Sequence, residues 1–73
     1  MRLDLRGVQC PFVLARIVEA LEETPEGGLE VECDDDRSVH QTVPAFCRAR
    51  GYQYVIDDSL AAFYRIRIRP SSV

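Results

Sequence analysis

In the stretch LRGVQCPFVLARIVEAL, residues 5–21, a cysteine stands directly before a proline where an apolar helical pattern begins. Pro11 suits the first position of a helix, because the N–H it lacks would have no partner there. Cys10 is then the N-cap, facing unpartnered amides and roughly half a positive charge from the helix macrodipole. Both favour thiolate over thiol, the form in which cysteine is a nucleophile. Arg6 adds to this if the loop folds back, and Gly7 lets the backbone approach closely and leaves the sulfur accessible. The same helix end suits a persulfide anion, since it is a general anion site. Exchange at sulfur needs only a thiolate, a sulfur donor and access, so no general base, metal or cofactor is required. The plainer reading makes Cys10 a small apolar residue closing a strand–helix junction.

The other candidates are weaker. Cys33 and Cys47 fall on inward-facing positions and read as core residues, with a resolving thiol at Cys47 as the minor alternative. Three cysteines without a CxxC pair match neither a disulfide framework nor a four-ligand zinc site. Asp34, Asp35 and Asp36 are adjacent and cannot all face one cation, so helix capping explains them better. His40 lies on the polar side of its helix pattern and lacks companion ligands at metal spacing. Arg65, Arg67 and Arg69 share one face of a strand. They read either as a solvated face or as a docking surface for an acidic partner or an RNA backbone. All nine basic residues are arginines, which excludes a Schiff-base lysine and a P-loop lysine. The net charge of −3 disfavours general nucleic-acid binding.

These residues must be positioned by very few elements. RLDLR alternates and predicts a strand ended by Gly7. Leu14, Ile17, Val18 and Leu21 fall on one helical face, and TPEGG stops that helix. LEVEC predicts a second strand with Leu29, Val31 and Cys33 inward. Ser38 with Gln41 three residues later matches a capping box for a second helix, whose apolar face is Val39, Val43, Phe46 and Cys47. Gly51 ends it. Pro44 either kinks this helix or marks its true first turn, with SVHQ a separate turn. YQYVI and AFYRIRIR predict the last two strands, paired as a hairpin around DDSLA. The order βαβαββ predicts an α/β (α+β) two-layer sandwich, with both helices on one face of the sheet and each long enough to cross between parallel neighbours. With 73 residues the chain reads as a single domain, residues 1–73. No apolar run approaches a membrane span and the first residues lack a secretory signal, so a cytoplasmic location is expected.

The block LDLRG, followed after two residues by CP at a helix start, resembles the TusA family of small sulfur carriers, also called SirA-like. The DD after the second strand and VPAFCRARGY in the second helix are similar as well. The resemblance implies a four-stranded mixed sheet under two helices, and a persulfide carried on the cysteine matching Cys10, with Pro11 beside it. It also implies a sulfur-donor protein, such as a cysteine desulfurase or rhodanese-like protein, and an acceptor protein. Sulfur would go to tRNA thiolation, molybdenum cofactor or oxidative sulfur metabolism. Two positions depart from the family pattern. Val13 stands where a second proline completes Cys-Pro-x-Pro, which adds one free N–H near the sulfur. Thr42 stands where an acidic residue usually precedes the second-helix proline motif. The rival reading is a non-catalytic regulatory or protein-binding module with a structural Cys10. A thiol or peroxide sensor is a third.

Overall fold

The computed structural model describes residues 2–23 and 28–70. Its elements are β1 (Arg2–Leu5), α1 (Phe12–Glu23), β2 (Leu29–Cys33), a π turn (Ser38–Thr42) running into α2 (Val43–Arg50), β3 (Gln53–Asp57) and β4 (Tyr64–Arg69). The expected order βαβαββ is present, in one four-stranded mixed sheet with strand order β1-β2-β4-β3. β1 and β2 pair in parallel, as a helical crossover through α1 requires. β3 and β4 form the expected antiparallel hairpin. The last strand in sequence therefore lies inside the sheet. The second helix joins β2 to a parallel strand, β3, that is not its neighbour as expected, because β4 has paired between them.

β4 can occupy that place because its alternation is clean. Ile66 and Ile68 point inward and are fully buried, while Arg67 and Arg69 point out. Ile66 lies opposite Val31 on one side and Ile56 on the other. Val13, Ile17, Val39, Val43 and Cys47 close over this inner face from the helices. The opposite sheet face carries Arg2, Glu30, Glu32, Arg65 and Arg67 in cross-strand ion pairs.

Two local expectations are corrected. The buried stripe of α1 is Val13, Ile17, Ala20 and Leu21, with Leu14 and Val18 only half-buried. Val13 and Leu14 are both apolar, so the spacing alone admits either of two stripes one residue apart. The second helix starts earlier than the Ser38–Gln41 box suggested. Helical geometry begins at Asp36, and Ser38 is fully buried inside it. Its cap is Asp35, whose Oδ2 accepts the Ser38 N–H at 3.1 Å and the Ser38 hydroxyl at 2.6 Å. Pro44 lies in the first turn of α2, with Ser38–Thr42 as a separate π turn ahead of it, which is one of its two expected placements. Just ahead of it the Val43 N–H reaches back to the Ser38 carbonyl, the wider spacing of a π turn, so the missing proline donor falls where the ladder already changes register.

Gly51 ends α2 as expected. It sits at φ 75°, with its own N–H on Arg48 O and that of Tyr52 on Cys47 O at 2.8 Å. The helix stop assigned to TPEGG falls largely on residues 24–27, outside the described residues; α1 itself ends at Glu23.

Candidate functional site around Cys10

The site forms where the C-terminal ends of β1 and β2 meet the beginnings of both helices. After Leu5 the chain turns through Gly7 at φ 86°, and the Gly7 N–H is held by Asp34 Oδ1 at 2.9 Å. A Cβ at Gly7 would meet nothing within 4 Å. Glycine is needed there for its left-handed backbone and not, as expected, for close approach. The Cys10–Pro11 peptide is cis.

Cys10 is not the N-cap. The first helical residue is Phe12, and Pro11 O accepts the Ala15 N–H at 3.3 Å. The Phe12 and Val13 N–H groups both go to Gln9 O, at 2.8 and 3.2 Å. The amides expected to cradle the sulfur are thus already bonded, including the one expected to be free at Val13. The Val13 side chain is fully buried in the core. Valine in place of a second proline therefore contributes packing as well as a helix hydrogen bond.

What surrounds Cys10 comes from the second helix. Its N–H donates to Asp35 Oδ2 at 3.3 Å, and its Sγ lies 3.5 Å from Thr42 Oγ1. Asp35 thus ties the cysteine loop to the start of the second helix with one carboxylate. The Ser38 hydroxyl above all, then the Ser38 and Cys10 N–H groups, hold that carboxyl below the usual carboxylate range. A folded-state value below the unfolded one stabilises the fold at neutral pH, and the effect is lost as pH falls through the carboxylate range. Asp35→Ala should accordingly lower the thermal midpoint by about 5 °C at pH 7 and by less at a pH below the carboxyl's folded-state value. Thermal melts at the two pH values check this, and equal losses would remove the charge from the explanation.

The remaining predicted residues are placed as follows. Arg6 does not fold back onto the sulfur. It makes a two-pronged pair with Asp4 at 3.0 and 3.1 Å, and its guanidinium lies 5.1 Å over the Phe63 ring. That pairing lowers the Asp4 carboxyl and raises the guanidinium, as expected for mutual charge stabilisation. Pro11 and Phe12 are exposed, Phe12 to 66%. They sit beside a shallow groove of about 370 Å³ between the Gly7–Gln9 turn and the Ala15–Arg16 side of α1.

Cys33 and Cys47 are fully buried, as their spacing indicated. Burial pushes the Cys33 thiol up, and pushes Cys47 to about 11. Cys10 is half-buried. The three aspartates serve three different partners: Asp34 holds Gly7, Asp35 caps the helix, and Asp36 accepts the Tyr64 hydroxyl at 2.9 Å. Among the described residues no cluster of three or more His, Cys, Asp or Glu side chains is arranged to hold a metal.

Arg65, Arg67 and Arg69 lie on the sheet face opposite the core, and they are interleaved with acid. Arg65 pairs with Glu32 at 3.0 Å and faces Glu30 at 3.2 Å, its Nε turned out of hydrogen-bond alignment; Arg67 lies 3.9 Å from Glu30. That face is of mixed charge and is not a uniform basic patch. Asp35 and Thr42 are the two side chains beside Cys10 that spacing near the cysteine does not indicate. Asp35 carried a legible signal, an aspartate three residues before a serine, which is an N-cap spacing.

A half-exposed cysteine at a loop–helix junction of a two-layer α+β domain defines a thiol-bearing module. The chain belongs to the TusA family, whose model, described as sulfurtransferase TusA, matches residues 1–70. It is 30% identical over 71 residues to the sulfur carrier protein TusA of Pseudomonas fluorescens (strain SBW25), covering 97% of this chain and 86% of the relative. The fold is similar to the crystal structure of a SirA-like protein from Desulfitobacterium hafniense, with TM-score 0.84, 27% identity, and coverage of 99% of this chain and 100% of that one. Among the described residues no helix is long and apolar enough to cross a membrane.

Proposed function

We propose that the chain is a cytoplasmic sulfur carrier, one domain that accepts sulfane sulfur on Cys10 and relays it to a partner protein. The observation carrying this reading is that Cys10, alone of the three cysteines, is not sealed in the core of a TusA-family chain. The Cys10 thiolate attacks the outer sulfur of a donor persulfide. A new S–S bond forms at Cys10, the donor's S–S bond breaks, and the donor cysteine leaves as a thiolate. Delivery reverses the roles: an acceptor thiolate takes the outer sulfur and Cys10 leaves as a thiolate. Neither step needs an external oxidant, because one sulfane sulfur changes owner.

The donor is a persulfide-bearing protein of cysteine desulfurase or rhodanese type, and the acceptor is a second thiol protein. Pro11 and Phe12 present an exposed rim beside the sulfur on which such partners can seat. Gly7 and Arg6 shape the turn that holds Cys10 at that rim.

Intact-mass spectrometry after incubation with glutathione persulfide tests the proposal. Wild type gains the mass of one sulfur, Cys10→Ser gains none, and Cys47→Ser gains as wild type does. Equal uptake by Cys10→Ser overturns it. The occupied amides at the start of α1 favour a second reading, a non-catalytic regulatory or protein-binding module with a structural Cys10. In that case wild type takes up no sulfur either.

A further inference from the structure

We infer that the Thr42 hydroxyl is the positioning group for the Cys10 sulfur, donating its hydrogen to that sulfur when it is an anion. The inference rests on Cys10 being the carrier, as proposed above. With Phe12 and Val13 bonded to Gln9, the helix-start amides do not supply this hydrogen bond, and Thr42 Oγ1 at 3.5 Å does. The local backbone leaves the hydroxyl available. A threonine within a helix commonly bonds the carbonyl four residues back. Here that carbonyl, Ser38 O, accepts the Val43 N–H across the π turn, and the Thr42 side chain makes no capping bond to α2.

A hydroxyl can follow the sulfur through both of its states. It accepts from the thiol S–H, then rotates to donate to the thiolate. The thiolate is both the attacking group during uptake and the leaving group during delivery, so one donor favours each half of the transfer. An ionised carboxylate at the same position only accepts, and its charge disfavours an anionic sulfur nearby. Threonine at position 42, where an acidic residue was expected, therefore makes this chain's cysteine more reactive near neutral pH than its acidic counterpart.

The test is the rate of Cys10 alkylation by iodoacetamide at pH 7, with thermal midpoints measured in parallel. A hydrogen bond to a charged sulfur stabilises the anion by a factor of about ten. Part of that is returned because a better-stabilised thiolate is a poorer nucleophile, which leaves about threefold in rate. Thr42→Val and Thr42→Ala should each slow alkylation about threefold, Thr42→Ser should restore the wild-type rate, and Thr42→Asp should be slower than Thr42→Val. The alanine variant carries the comparison if valine disturbs the turn. Wild-type rates in the folded valine or alanine variant, or a serine variant as slow as alanine, overturn the inference. Alkylation needs no sulfur donor, so it reports on Thr42 even if Cys10 never carries sulfur. Persulfide uptake reports on Cys10 even if Thr42 proves silent.

Discussion

Alkylation of the native protein at pH 8 labels Cys10 and leaves Cys33 and Cys47 unlabelled on the same timescale. Two separate causes protect the buried pair. A fully buried thiol reacts only when the structure opens around it. For a 73-residue domain with stability near ~0.05–0.15 kcal/mol per residue, global opening suppresses the rate by about a thousandfold or more. Cys47 carries a further penalty against any reagent that reaches it without opening the fold. With its thiol pushed to about 11, roughly one molecule in a thousand is thiolate at pH 8 in the folded state. Peptide mass mapping of wild type against Cys10→Ser reads the outcome. In the variant, native labelling should fall to the level set by unfolding, and Cys33 and Cys47 should both label in denaturant. Labelling of Cys47 at a rate like that of Cys10 would mean that the helical layer opens far more readily than its packing implies.

The second large effect belongs to the sheet. Ile66→Ala should cost about 2–5 kcal/mol, a large part of the total stability of so small a domain. Ile66 is fully buried at the centre of β4, between Val31 of β2 and Ile56 of β3. Truncation there leaves a cavity bounded by two strands and the helical layer, which cannot collapse without moving the sheet register. The urea midpoint should fall by about 1–3 M. Val55→Ala on the neighbouring strand is the control, because Val55 is 65% exposed and should change stability by less than about 0.5 kcal/mol. A small loss at Ile66 would show that β4 is not the keystone of the core.

The sequence by itself determined the element order, the inward faces of β1, β2 and β4 and the two structural cysteines. It also singled out Cys10. Those features rest on alternation with period two and on unambiguous breakers such as Gly7 and Gly51, which are properties of neighbouring residues along the chain. Where the local signal admitted two answers, packing chose between them. The α1 stripe could run through Val13 or Leu14, and burial of Val13 settled it. A serine and a glutamine at capping-box spacing were outcompeted by Asp35, which bonds Ser38 and the Cys10 loop at once.

The chemistry of the site was the part least legible. Local reasoning assigned the sulfur's partners to the helix that follows it, because that helix is adjacent in sequence. Tertiary structure gave those amides to Gln9 and set beside the sulfur a threonine 32 positions away. That pairing requires the π turn before Pro44 and a parallel β1–β2 pair that brings the two helix starts together. A chain can announce by its own pattern which residue is reactive. The neighbours that tune it arrive by folding, since hydrogen bonds join whatever the core has made close.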